Sequence, residues 1–304
     1  MQINDIIEQA KRLKLESITI SKSLQHGMFR SLFLGQGIEF DSCRDYEPND
    51  DVRNIDWNLT ARTGKAYIKL FREEHDINIF LVLDVSGSMY SESGKYIKYY
   101  EKGFELVALF LFAGVHLGCP IGALTFSDKV NKIWPIKSGN DFVFSLLYEL
   151  KKSFKQKNNS KTKLNTAITT MNKTLNKKGL IFIISDFKMS DYKKDLLLIS
   201  KSHDVIAIKL FSKHDFSLPQ VGLLSISDLE EKKINYIKTT SKKVTKEYRE
   251  NFLSIMEEWK NICIDCGVLP CEIDVDSDSV KDISQFLLSA KTKYEYINAI
   301  KKQR

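Results

Sequence analysis

The sequence predicts an α/β protein, a doubly wound and mainly parallel sheet flanked by helices, with a small β-rich annex ahead of it. Three observations carry that prediction. From Ile77 onward, apolar runs of strand length alternate with stretches of helical periodicity. The runs are hydrophobic almost without interruption, as strands covered on both faces are. Two of them, INIFLVLD and GLIFIISD, close on an aspartate, Asp84 and Asp186, a placement that folding alone does not require.

The elements follow in order. The opening stretch, MQINDIIEQAKRLKLESITI, is an amphipathic helix with acids near its start and lacks the apolar block of a secretory signal. Shorter polar-aromatic pieces come next, with Gly27, Gly35 and Gly37 and turn sequences at Pro48-Asn49-Asp50 and Thr63-Gly64. Residues 1–75 are therefore assigned to an N-terminal helix plus annex, and residues 76–304 to the α/β domain with a C-terminal helical extension. Within that domain, strands at INIFLVLD, PIGALTF, GLIFIISD and DVIAIKLF alternate with helices over 95–115, 141–154, 164–175 and 192–202. A long amphipathic helix over 243–266, a closing strand CEIDVD and a helix over 280–290 complete it. Residues 106–124, LVALFLFAGVHLGCPIGAL, reach the length of a membrane span. Gly114, Gly118 and Pro120 interrupt the second half, so the stretch reads as a buried helix, a tight turn and a buried strand. No transmembrane segment is expected.

The totals bound the function. At 304 residues the chain can bury a sizeable core, and 43% hydrophobic with 28% charged residues is ordinary for a globular protein. A net charge of +7 mildly favours an acidic partner. Five scattered cysteines, odd in number, are no secreted disulfide framework, and a cytoplasmic setting is expected, with any membrane association through partners.

The chemistry is expected at DVSGS, residues 84–88. A buried ionised carboxylate costs several kcal/mol unless it is paired or hydrogen-bonded. At the carboxyl end of a strand, Asp84 faces a crevice where a cation could hold it. Ser86 and Ser88 could ligate the same ion if the backbone curls, which Gly87 permits. All-oxygen ligands with few carboxylates suit Mg²⁺, with Mn²⁺ or Ca²⁺ as the other hard cations considered. The competing reading has a serine capping the next helix while Asp84 bonds loop amides, and this stretch alone leaves both open. Thr162, ahead of the helical pattern Leu164, Ala167 and Ile168, and Asp186 at its own strand end should reach the same sheet edge, since parallel strands all end on one side.

D-x-S-x-S, a threonine ahead of a helix and a strand-terminal S-D resemble the metal-ion-dependent adhesion site of von Willebrand factor A domains. The segment GQGIEFDSCRDYEPNDDVRNIDWNLTARTGKAYIKLFREE is similar to the signature of the bacterial domain-of-unknown-function 58 family, as is SHDVIAIKLF…SLPQVGLLSISDLE further on. The resemblance covers roughly residues 20 to 250. One departure is SKHD at residues 212–215, where that family often carries an Asp-Pro-x-Glu-like turn. The resemblance implies a von Willebrand factor A-like fold and Mg²⁺ held by Ser86, Ser88 and Thr162 directly or through water, with Asp84 and Asp186 acting mainly through waters. It also implies a partner protein offering an acidic residue to the metal, and an adaptor or chaperone-like role beside a MoxR-type AAA+ ATPase.

Rival readings lack parts. A haloacid-dehalogenase-type phosphotransferase needs an acid two positions after Asp84, where Ser86 stands. No nucleophile elbow or phosphate-binding P-loop occurs. CIDCGVLPC, residues 263–271, lacks a fourth zinc ligand and sits at a helix end that disfavours thiolate. DVDSDS, residues 274–279, begins like a calcium loop but has Ser279 and Gln285 where glycine and glutamate belong, so Asp278 reads as a helix cap. The lysine run over 151–163 has a single aromatic, Phe154, and reads as a solvated loop rather than a nucleic-acid site, with one sharper option that it steers an acidic partner. A metal-dependent hydrolase and a basic nucleic-acid binder are thus the alternatives. In the annex, the mixed charges and aromatics from Arg44 to Arg62 read as a salt-bridged subdomain interface with Trp57 as packed core, the alternative being a second partner surface.

Overall fold

The computed structural model describes residues 3–26, 35–48, 50–73, 77–90, 98–153, 162–189, 191–216, 222–227 and 234–289. Its centre is a six-stranded sheet of β3 (Asn78–Asp84), β4 (Ile121–Phe126), β5 (Val130–Lys137), β6 (Gly179–Ser185), β7 (Asp204–Phe211) and β10 (Leu269–Asp274). The spatial order is β10-β7-β6-β3-β4-β5, with β5 alone antiparallel. The chain leaves β3 toward β4 on one side and returns to β6 on the other. The switch point, where open α/β sheets place their ligands, therefore falls between the carboxyl ends of β3 and β6.

Side-chain alternation explains the unbroken apolar runs. Ile79, Leu81 and Leu83 of β3, with Leu180, Phe182 and Ile184 of β6, face one layer, while Phe80, Val82, Ile181 and Ile183 face the other. The first layer holds α3 (Lys98–His116), α4 (Asn140–Ser153) and α8 (Ser279–Ser289); the second holds α5 (Leu164–Thr174), α6 (Tyr192–Ser200) and α7 (Lys242–Asp265). Both faces are buried, so neither register of the alternation can be polar. The opening helix α1 (Ile3–His26), grouped with the annex by sequence, packs on α3 and α8 and adds Leu13, Ile20 and Leu24 to the first layer's core.

The membrane-like stretch resolves into the end of α3, a turn and β4. Gly114 does not break the helix: a Cβ there would lie 2.6 Å from Ile121 Cδ1, so the missing side chain lets α3 settle onto the sheet. Gly118, at φ 72°, ends it. Among the described residues no helix is long and apolar enough to cross a membrane.

The annex is a two-stranded antiparallel ribbon, β1 (Gly35–Asp45) with β2 (Tyr67–Glu73), closed by the short helix α2 (Trp57–Thr63). Its charges work locally. Asp56 caps α2 by accepting from Leu59 N at 3.0 Å, and Arg44 grips Asp50 through both guanidinium nitrogens, at 2.8 and 2.6 Å. Trp57, read from sequence as packed core, is instead 68% exposed among the described residues, because it starts a helix that has no layer over it. A second ribbon, β8 (Leu223–Ser227) with β9 (Ile234–Lys238), lies outside the main sheet. Most of the lysine run, residues 154–161, lies outside the described residues.

Candidate metal centre

Asp84 ends β3 at the switch point and is wholly buried. Its carboxylate is held by donors on both sides: Oδ1 accepts from Ser86 N at 2.8 Å, and Oδ2 accepts from Ser185 Oγ at 2.6 Å. The first bond curls the chain back, and residues Gly87–Tyr90 continue as a 3₁₀ turn in which Met89 N donates to Ser86 O. That curl brings the Ser86 and Ser88 hydroxyls to 3.1 Å from each other. Neither serine caps a helix in the described residues; both are buried at the tip of β3.

The second wall is the end of β6. Ser185 Oγ, while donating to Asp84, accepts from Phe187 N at 3.0 Å, and Asp186 Oδ1 accepts from Lys188 N at 3.3 Å. This tight turn drives Phe187 to φ 51°, a conformation bulky residues rarely adopt. The ring is held there by Trp259 and Tyr192, with centroids 5.4 and 5.8 Å away. Strain of this kind persists where surroundings enforce it and concentrates at functional sites.

Among the described residues no cation is seated on Asp84, and two lysines, Lys188 and Lys209, act on Asp186. Burial, with Asp186 close by, pushes the Asp84 carboxyl up to about 7. Asp186 is 2% exposed and its Oδ2 has no hydrogen-bond partner among the described residues; a single ammonium, Lys188 Nζ, stands 3.7 Å off. The Lys209 amine, next in the sheet to Ser185, is pushed down by burial and lies over the Trp259 ring at 5.3 Å.

Of the five residues expected from sequence, Asp84, Ser86, Ser88 and Asp186 come together at this point. Thr162 reaches the same sheet edge, since its neighbour Lys163 donates its backbone N–H to Ser127 O beyond β4 at 2.8 Å. Its half-buried side chain makes no hydrogen bond to the other four among the described residues. Sequence reasoning gave no role to Ser185, the hydroxyl that clamps Asp84, although it stands in the S-D pair. It also gave none to Lys188, or to Asp215 of the SKHD turn, whose carboxylate accepts from Tyr99 OH and from Ser212 N and so ties the β7 tip to α3. Cys263, Cys266 and Cys271 are buried and form no disulfide among the described residues, and Asp278 caps α8 through Val280 N and Lys281 N.

A six-stranded sheet with one antiparallel edge, helices on both faces and a D-x-S-x-S turn at the switch point is the architecture of a von Willebrand factor A-like module. Here it carries an extra ribbon annex. The model of the family described as protein of unknown function DUF58 matches residues 42–256, and the chain belongs to that family. Among curated relatives, the uncharacterized protein Rv1480 of Mycobacterium tuberculosis is 27% identical over 225 residues, 73% of this chain and 71% of that protein. Among solved structures, the chain is similar to BatB from Bacteroides thetaiotaomicron, at 16% identity and TM-score 0.42, covering 74% of this chain and 99% of that one. The SpRpn10 VWA domain is similar at 11% identity and TM-score 0.38, covering 68% and 93%. Proximal thread matrix protein 1 from the mussel byssus, with a zinc-occupied MIDAS motif, follows at 17% identity and TM-score 0.33, covering 72% and 47%.

Proposed function

We propose that the chain is a Mg²⁺-dependent protein-binding module whose site takes an acidic residue from a partner protein. The observation that carries the reading is the Asp186 Oδ2 with no hydrogen-bond partner among the described residues, beside an Asp84 carboxyl raised by burial and by Asp186, with two buried serine hydroxyls 3.1 Å apart at the tip of β3. Two buried acids without a seated counter-charge, surrounded by oxygen donors, fit a hard divalent cation. Ser86, Ser88 and Thr162 would hold it through their hydroxyls, and Asp84 and Asp186 would fix it from behind. When bound, the ion supplies a Lewis-acidic point of attachment for an outside carboxylate.

The protein's own residues do the rest. Ser185 keeps Asp84 from rotating, the 3₁₀ turn keeps the serines facing together, and the Phe187–Trp259 packing keeps the Asp186 turn from relaxing. With the neutral hydroxyls as direct ligands and the two acids acting mainly through waters, the ion keeps its electrophilic character and can accept a carboxylate from outside. The family resemblance supports a MoxR-type AAA+ ATPase as the class of partner, with this chain as its adaptor in assembling or remodelling another complex. A cytoplasmic setting belongs to the same reading.

The test is thermal unfolding with and without Mg²⁺. At a concentration about a hundred times its dissociation constant the ion stabilises the folded state by roughly 2.7 kcal/mol. The shift should be present in the natural protein and absent in Asp84→Ala. A natural protein whose melting is indifferent to Mg²⁺ sinks the proposal.

A further inference from the structure

We propose that Lys188 is a displaceable counter-ion built into the site: its ammonium neutralises Asp186 in the metal-free protein and leaves when the cation binds. The inference rests on the metal-centre reading above. Its ground is the contrast between two lysines that act on the same carboxylate. Lys209 is 5% exposed and set against the Trp259 ring, 5.3 Å from its centroid. The Lys188 side chain is 56% exposed, and its pairing with the 2% exposed Asp186 is the ion pair that acid makes among the described residues.

The geometry of the pair is loose. A seated charge-assisted bond has donor and acceptor about 2.7–2.9 Å apart, whereas Lys188 Nζ stands 3.7 Å from Oδ2. Oδ2 therefore keeps an open lone pair while its charge is partly balanced. The ammonium also has a second place to rest, since it lies 5.5 Å from the centroid of the Tyr99 ring. That ring is fixed, because Tyr99 OH donates to Asp215. A cation brought against Oδ2 repels the ammonium, and the flexible four-carbon stem can carry it outward over the ring. The site thus exchanges an internal cation for an external one, and metal uptake competes with an intramolecular pair.

Calorimetric titration of Mg²⁺ into the full-length protein, K188Q and K213Q tests this. Lys213 is the control: it is an exposed lysine on the same sheet edge whose partner is Asp274, so its loss removes an equal charge away from Asp186. Loss of a partly exposed ion pair corresponds to an affinity gain of about five-fold for K188Q, with K213Q unchanged. In chelator K188Q should melt below the natural protein, and in saturating Mg²⁺ the deficit should vanish. Equal or weaker binding by K188Q, or an equal gain in K213Q, overturns the inference while leaving the metal centre standing. No Mg²⁺ uptake by any of the three overturns the metal centre itself.

Discussion

The substitution Asp84→Asn isolates the electrostatic cost on which the site reading depends. In an unfolded chain an aspartate titrates near 3.9; in the fold, burial and Asp186 raise Asp84 to about 7. Between those values the native state holds a proton the unfolded state has released, so stability falls as pH rises through this window and stays low above it. The full penalty approaches 4 kcal/mol, three pKa units at about 1.36 kcal/mol each. Most of that penalty, a few kcal/mol, is incurred between pH 5 and pH 8. Asparagine keeps the acceptor for Ser86 N, and the Ser185 hydroxyl can turn to accept from the new amide, at a cost of about 1 kcal/mol. Urea unfolding in chelator at the two pH values, for both proteins, measures the effect as a difference in which titrating groups away from the Asp84–Asp186 pair cancel. The natural protein should lose about 2–3 kcal/mol more than Asp84→Asn on going to pH 8, and Asp84→Asn should be the more stable of the two there. Parallel losses would show that Asp84 carries no such burden and would remove the physical reason for a cation.

Two further perturbations test the frame around the site. Gly122→Ala places a Cβ 2.6 and 2.7 Å from the buried Phe80 ring and 3.0 Å from Ile136; overpacking of this kind costs about 1–3 kcal/mol, read as a lower urea midpoint at unchanged slope. Tyr99→Phe removes the hydroxyl that Asp215 accepts, so the carboxylate is left with Ser212 N alone of these two donors. Loss of a hydrogen bond to a charged group predicts destabilisation of about 1.5–3 kcal/mol, and an unchanged midpoint would show that the β7 tip is held by other contacts.

The central strands were legible because burial on both faces writes itself as a continuous apolar run, and four such runs became β3, β4, β6 and β7 within a residue or two, while the alternating CEIDVD overlaps β10. β5 was not legible. It is an edge strand with a mixed, half-exposed pattern and a proline, Pro135, which only an edge tolerates. The place of α1 was hidden for a different reason: its apolar stripe shows that it packs but not on what, and the partner α3 lies far along the chain. At the site, the two acids stood out because a charge at the end of an apolar strand has no structural excuse. Ser185 and Lys188 did not, since polar neighbours of an acid break no pattern. The Tyr99–Asp215 clamp joins residues 116 apart, a separation that no local signal spans.

Three other acids are buried among the described residues; Asp195, 9% exposed, accepts from the Asn165 amide at 3.0 Å, and the remaining two are paired with lysines. Asp204, 3% exposed, meets Lys178 Nζ at 2.8 Å. Asp274, 6% exposed, meets Lys213 Nζ at 3.3 Å and accepts from Asp276 N, while Asp276 itself is gripped by Lys98 at 2.6 Å. The loop that imitates a calcium site is thus already neutralised by lysines. Among the described residues no such cation is set on Asp84, and the one ion pair Asp186 makes is the loose contact with Lys188. A purely structural role for these two acids would have been cheaper to fill with asparagine or serine, which bury without a charge to offset. Retaining two facing carboxylates at the one edge of the sheet where ligands gather is intelligible if the missing charge arrives from outside.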